Sequence, residues 1–168
     1  MKIGFVSDTH DHKENIIKIF KVFQEEGIKN VFHLGDLISP FNFKFIREVY
    51  FGNLYMVFGN NDGEKLFLTE QAKAFGVSIL KHPEVLDING FKVVAMHEPG
   101  VIEELAGSGK VDVVAYGQTH KIHLERINNT LIVNPGEACG YLTGKATFVV
   151  VETKTLEYEI REVKNERD

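Results

Sequence analysis

The chain has 168 residues, 43% of them hydrophobic, and its 19 Lys and Arg against 24 Asp and Glu leave a net charge of −5. That length suits one domain with a sizeable core, and the acidic balance excludes the profile of a non-specific nucleic-acid or anionic-membrane binder. The single cysteine, Cys139, excludes an intrachain disulfide framework.

KIGFVS (2–7) is an apolar run with little alternation, as in a strand buried on both faces. Asp11 with Glu14 predicts a capping box for a helix carrying Ile16, Ile17, Phe20 and Phe23 at helical spacing and ended by Gly27. VFHLG (31–35) is the second strand. Ser39-Pro40 opens a second helix whose apolar face is Phe41, Phe45, Ile46 and Val49. LYMVFG (54–59) is the third strand, and 64–75 the third helix. Further strands follow at 77–80, 84–88 and 91–97, with Asn89-Gly90 a hairpin signal. A short helix near 101–107 precedes strands at 111–117, 123–127, 130–134, 146–152 and 156–163. The tail EIREVKNERD turns to charge and is expected to be mobile at its end. The first half alternates strand and helix, and the second is mostly hairpins. The fold class is therefore α/β, two packed mixed sheets flanked by helices, one of them parallel where βα units begin it and the second largely antiparallel.

The residues just past the strand ends carry the chemistry. These tips are Asp8-Thr9-His10, Gly35-Asp36, Gly59-Asn60-Asn61-Asp62, His97 and Gly117-Gln118-Thr119-His120. Each has a structural reading when taken singly: Asp8 and Asp36 as caps, Asn60 in a left-handed turn, His97 as a hydrogen-bonded core residue. Five tips bearing ligand-type residues, all free to converge beyond the carboxyl ends of their strands, point instead to one crevice. Carboxylate, imidazole and amide donors suit Mn, Fe, Zn, Ni or Co, and the lack of a thiolate argues against a structural zinc knot.

The order D-x-H, G-D, G-N, H, G-x-x-H resembles the calcineurin-like metallophosphoesterase superfamily. More closely, the chain is similar to the small archaeal and bacterial phosphodiesterases related to the retromer scaffold subunit. The likeness runs over nearly all 168 residues, including SDTHD at the start and VNPGE at 133–137. It implies a single domain built as a two-sheet sandwich flanked by helices. It also implies two divalent ions. Asp8, His10, Asp36 and His120 match the ligands of one, Asp36, Asn60 and His97 those of the other, with Asp36 bridging. Such a pair, roughly 4 Å apart, clamps a phosphate and activates a bridging hydroxide. The implied activity is hydrolysis of a small phosphodiester, with Asp36, Asn60, Asn61 and His97 as the catalytic set.

Three positions depart from that pattern. Gln118 stands where the superfamily usually has a histidine completing the second ion's shell, and an amide oxygen is a weaker donor there. Asn61 replaces a histidine that assists the leaving group, so general-acid help worth roughly 10²–10⁴-fold is missing. Glu98 follows His97 where close relatives place glycine, and its charge disfavours a dianionic monoester. These departures leave a rival reading, a catalytically weak protein-interaction scaffold of the same fold. Of the other histidines, His33, His82 and His123 read as structural, and His12 as either a surface helix-start residue or a substrate contact. Cys139 reads as a packed residue near the site and not a nucleophile. Phe41 and Phe45 in FNFKF read as core first, with a homo-oligomer interface as the alternative. MKIGFVSDTHD has no signal-type apolar core and no stretch suits a membrane span, so the expected location is cytoplasmic.

Overall fold

The computed structural model describes residues 1–163, arranged as eleven strands and four helices. One sheet has the order β11-β10-β1-β2-β3-β4. Its strands are β1 (Lys2–Val6), β2 (Asn30–His33), β3 (Asn53–Met56), β4 (Val77–Ile79), β10 (Thr147–Glu152) and β11 (Tyr158–Glu162). β1 to β4 are parallel, joined through α1 (Lys13–Glu25), α2 (Asn42–Val49) and α3 (Lys65–Ala74), while β10 and β11 run antiparallel along one edge. The second sheet has the order β5-β6-β7-β9-β8, from β5 (Val85–Ile88), β6 (Phe91–Ala95), β7 (Val113–Ala115), β8 (Ile122–Ile127) and β9 (Thr130–Pro135). α4 (Ile102–Gly107) connects β6 to β7.

The expected sandwich of two mixed sheets is present, and only the share of antiparallel pairing in the second needs correcting. The second sheet is mixed, because β6, β7 and β9 are mutually parallel and only the outer pairs β5–β6 and β8–β9 are antiparallel. Hairpin signals mark adjacent strands, and the β5–β6 pair was legible that way from Asn89-Gly90. The α4 crossover slots β7 between β6 and β9, and no turn dipeptide announces that.

Alternation along each strand builds the layers. Ile3 and Phe5 of β1 and Val149 and Val151 of β10 face the second sheet, where they meet Val93, Val113, Leu131 and Val133. The opposite faces, with Val6, Val31, Phe148 and Val150, lie under Ile16, Ile19, Phe20 and Phe23 of α1. Both faces of the sheet are covered, which explains runs such as KIGFV that show no polar side. α4 covers the outer face of the second sheet through Ala106 against Val94, Val114 and Ile132.

Two helix starts differ from expectation. His12, not Asp11, caps α1, its Nδ1 accepting from Asn15 N at 3.3 Å. Asp11 is drawn across to the next helix, where its Oδ1 accepts from Ser39 N and Asn42 Nδ2 at 2.9 and 2.7 Å. The buried residues of α2 are Asn42, Phe43 and Ile46, with the buried Tyr50 just past its end, whereas Phe41 precedes the first helical residue and is 67% exposed. Phe45 is half-buried beneath the Lys13 ammonium. Neither Phe41 nor Phe45 is a core residue: Phe41 precedes the helix, and Phe45 lies off its buried Phe43–Ile46 face. β11 ends at Glu162, and the tail end expected to be mobile, 164–168, lies outside the described residues.

Candidate metal centre

The five loops that carry the candidate ligands all leave the carboxyl ends of parallel strands: β1, β2 and β3 in one sheet, β6 and β7 in the other. Their backbones are bent into conformations that L residues rarely adopt. Asp8, His10, Asp36, Gln118 and His120 have φ of +52°, +38°, +57°, +64° and +59°. Strain of this kind costs on the order of 1–3 kcal/mol per residue and collects at functional sites. Two glycines let the loops close. A Cβ on Gly59 would sit 2.1 Å from Asp36 Oδ1, and one on Gly117 would sit 2.1 Å from Ser7 Oγ.

The polar atoms converge. Asp36 Oδ2 is 3.5 Å from His10 Nε2 and 3.5 Å from His97 Nε2. Asp8 Oδ1 is 3.5 Å from His120 Nε2 and 3.9 Å from His10 Nε2. The His10 and His120 rings stack with centroids 5.2 Å apart. Of three clusters of ligand-type atoms within reach of one ion among the described residues, Asp8–His10–His120 and Asp8–Asp36–His97 share Asp8, and His120–Glu137–Cys139 shares His120 with the first. Asn60 joins through its Oδ1, 2.9 Å from His97 Nε2.

Asp8 Oδ1 and His10 Nε2 are buried with no hydrogen-bond partner among the described residues. A second mismatch lies at His97. Its Nδ1 donates to Leu34 O at 2.7 Å, so a neutral ring turns an Nε2 lone pair toward the Asn60 oxygen, another acceptor. Acceptors brought together in this way require a cation between them. Without a metal a proton answers that need: burial lowers the His97 pKa, but the Asp36 carboxylate and the Leu34 carbonyl outweigh it and raise it overall. Burial likewise opposes the charge on Asp36, but hydrogen bonds from His97 and from the Asn61 side chain and backbone hold its carboxyl well below the usual range. Burial raises Asp8. The donor set, carboxylates with imidazole nitrogens and an amide oxygen, fits divalent transition ions.

Residues 1–156 match the calcineurin-like phosphoesterase superfamily domain. The chain belongs to that superfamily. It is 39% identical over 162 residues to Phosphodiesterase MJ0936 of Methanocaldococcus jannaschii, covering 94% of this chain and 96% of the relative. A solved archaeal phosphodiesterase superposes with a TM-score of 0.90 at 38% identity, covering 97% of this chain and all of the other. Vacuolar protein sorting-associated protein 29 of Schizosaccharomyces pombe is more distant, 27% identical over 143 residues, which are 83% of this chain and 73% of that one.

Within this superfamily framework Gln118 is bound to the site by its main chain, its N–H donating to Asp8 Oδ2 at 3.2 Å. Its half-buried side-chain amide makes no hydrogen bond among the described residues. The Asn61 amide is engaged, Nδ2 donating to Asp36 Oδ2 at 2.8 Å and the backbone N–H to Oδ1 at 2.9 Å. Glu98 is exposed beside His97.

Two buried acids escape a reading of the sequence. Glu137 Oε2 accepts from His120 Nδ1 at 2.7 Å, which orients the ring and leaves Nε2 bare. Burial opposes its charge, but hydrogen bonds from His120 and from Thr143 pull its pKa down to about 2. Asp62 ties two loops together, accepting from Asp36 N at 3.0 Å, Gly59 N at 2.7 Å and Ile38 N at 2.7 Å. Both acids sit inside the motifs VNPGE and GNND, and a carboxylate within an otherwise apolar or glycine-rich turn was the available signal.

The remaining candidates have structural partners. His33 Nδ1 accepts from Gly35 N, and its Nε2–H donates to Thr9 Oγ1 at 3.0 Å. His123 Nδ1 is 2.6 Å from the Tyr116 hydroxyl. His12 caps α1 and packs against Tyr141, ring centroids 5.6 Å apart. His82 is exposed in a loop. The buried Cys139 thiol donates to Glu137 Oε2, and burial pushes its pKa up to about 12, far from a nucleophile's range.

Proposed function

We propose that this protein is a metal-dependent phosphodiesterase that binds two divalent ions (Mn, Ni, Fe, Co or Zn) and hydrolyses a small phosphodiester. The observation that carries the reading is Asp36 Oδ2, at 3.5 Å from both His10 Nε2 and His97 Nε2 and so disposed to bridge. Asp8, His10 and His120 would hold the first ion with Asp36, and Asn60 and His97 the second. The phosphodiesterase relative at 39% identity supports the same activity.

When bound, paired ions supply the Lewis acidity that neutralises phosphoryl charge and makes water nucleophilic at neutral pH. The reaction joins a water oxygen to phosphorus and breaks the P–O bond to one ester arm, which leaves as an alcohol after taking a proton. Asn61 offers an amide donor to a phosphate oxygen but no titrating group, so the leaving arm draws its proton from solvent. Esters with good leaving groups are therefore the best substrates. Glu98, beside the centre, favours a diester monoanion over a monoester dianion. Gln118 presents no imidazole to the second ion, which therefore binds more weakly than the first.

A binding role without catalysis is the second reading, favoured by the likeness to the vacuolar sorting protein and by Gln118. No helix among the described residues is long and apolar enough to cross a membrane. The lone unpaired thiol, Cys139, supports a reducing, cytoplasmic location.

The test is to strip the metal and assay bis(p-nitrophenyl) phosphate and p-nitrophenyl phosphate with Mn²⁺, Ni²⁺ or Mg²⁺ restored. Diester turnover should depend on the ion, exceed monoester turnover and disappear in Asp36→Ala and His120→Ala. Turnover no greater in the metal-replete wild type than in these variants would leave the binding role.

A further inference from the structure

Beside the metal centre a groove of about 640 Å³ opens between the start of α3 and the segment joining β4 to β5. It is continuous with the centre, because Gly59 and Asn60 line both and Glu98 at its edge follows His97. Its floor is apolar: Phe58, Ile79 and Leu80 are half-buried there. Its volume falls within the roughly 300–1,000 Å³ of small-molecule sites.

Lys65 and Lys81 stand exposed along this groove. The Lys65 ammonium lies 5.7 Å from the centre of the Phe58 ring. No carboxylate pairs with either lysine among the described residues, although other surface cations here do find one. Among the residues lining the groove two ammonium groups face one carboxylate, Glu98, beside an aromatic surface, with the Glu84 carboxylate next to them on the Lys81 backbone N–H at 3.0 Å. A flat ring stacks on such a surface with little regard to its identity, and an anion satisfies the lysines.

We propose that the groove holds one arm of the diester, and that this arm is a nucleoside bearing a further phosphate. The base lies on Phe58, Ile79 and Leu80, and the extra phosphate engages Lys65 and Lys81. The inference rests on the phosphodiesterase reading and names its substrate class: a short, terminally phosphorylated dinucleotide.

Three probes test it with the metal-replete enzyme: bis(p-nitrophenyl) phosphate, the dinucleotide ApA, and its 5′-phosphorylated form pApA. Two exposed lysines are expected to give pApA a KM roughly 3–10-fold below that of ApA. The gap should narrow as salt rises. In Lys65→Ala/Lys81→Ala the gap should close, while turnover of bis(p-nitrophenyl) phosphate stays within about twofold of wild type. Equal KM values for the two dinucleotides, a gap that survives the double substitution, or hydrolysis of the small diester alone would each overturn the inference. Failure of the wild type to hydrolyse even bis(p-nitrophenyl) phosphate would overturn the phosphodiesterase reading and this inference with it.

Discussion

A histidine can serve as a metal ligand when one ring nitrogen is held and the other is left bare. His97 and His120 meet that condition, held at Nδ1 by the Leu34 carbonyl and by Glu137. His33 fails it, since both of its nitrogens are used. Burial drives the His33 pKa down to about 3, so the folded chain keeps it neutral. The unfolded chain takes up that proton near pH 6.5, and the folded chain refuses it until about pH 3. Between those values the unfolded state binds more protons, so the contribution is complete above pH 6.5 and is lost as pH falls. The raised His97 acts in the opposite sense, but its window lies above pH 6.5. Urea midpoints of chelated protein from pH 7 to 4.5 should therefore fall more steeply for wild type than for His33→Gln, by up to about 1.4 kcal/mol per pH unit. Parallel slopes would mean that His33 is not held neutral. The ligand types were legible at the strand tips because each stands beside a glycine or ends an apolar run. Glu137 was not, because its partner His120 is 17 residues away and only the fold joins them.

The strands deliver the candidate ligands, and glycines decide how closely the loops that carry them approach. Gly59 is the clearest case, since its missing Cβ would lie 2.5 Å from Asp36 N as well as against the carboxylate. Asp62 fastens the same two loops by accepting from both Asp36 N and Gly59 N. In Gly59→Ala one loop must move, at a cost of about 1–3 kcal/mol. Asp36 would move with it, so binding of Mn²⁺ should weaken at least tenfold by calorimetry while the urea midpoint drops. Wild-type values for both would show that the loops are loosely coupled. Strand positions were legible from unbroken apolar runs, and the Asn89-Gly90 hairpin from its dipeptide, with φ of +54° and +87° as such a turn demands. Helix starts were less so. Asp11 left its expected cap for Ser39 and Asn42, about thirty residues on, and Phe41 fell outside the helix that would have buried it. Local chemistry predicts a cap only when no distant partner competes for the same oxygen.

At the scale of the molecule, two sheets packed face to face bring strand ends from both to one edge. β1, β2 and β3 supply Asp8, His10, Asp36 and Asn60, and β6 and β7 supply His97 and His120. The superfamily membership and the superposition on an archaeal phosphodiesterase agree with the two-sheet fold. On the proposed reading, the departures at Gln118 and Asn61 would adjust the site toward unequal ions and readily leaving esters. The proposed centre is thus a pair bridged by Asp36 with a weaker second ion, and calorimetric titration of Mn²⁺ into stripped protein tests that pairing. Two equivalents per chain with well-separated affinities are expected, and in Gln118→His a second site tightened roughly 10-fold or more. A single equivalent in both proteins, or two sites of equal affinity unmoved by the substitution, would contradict it.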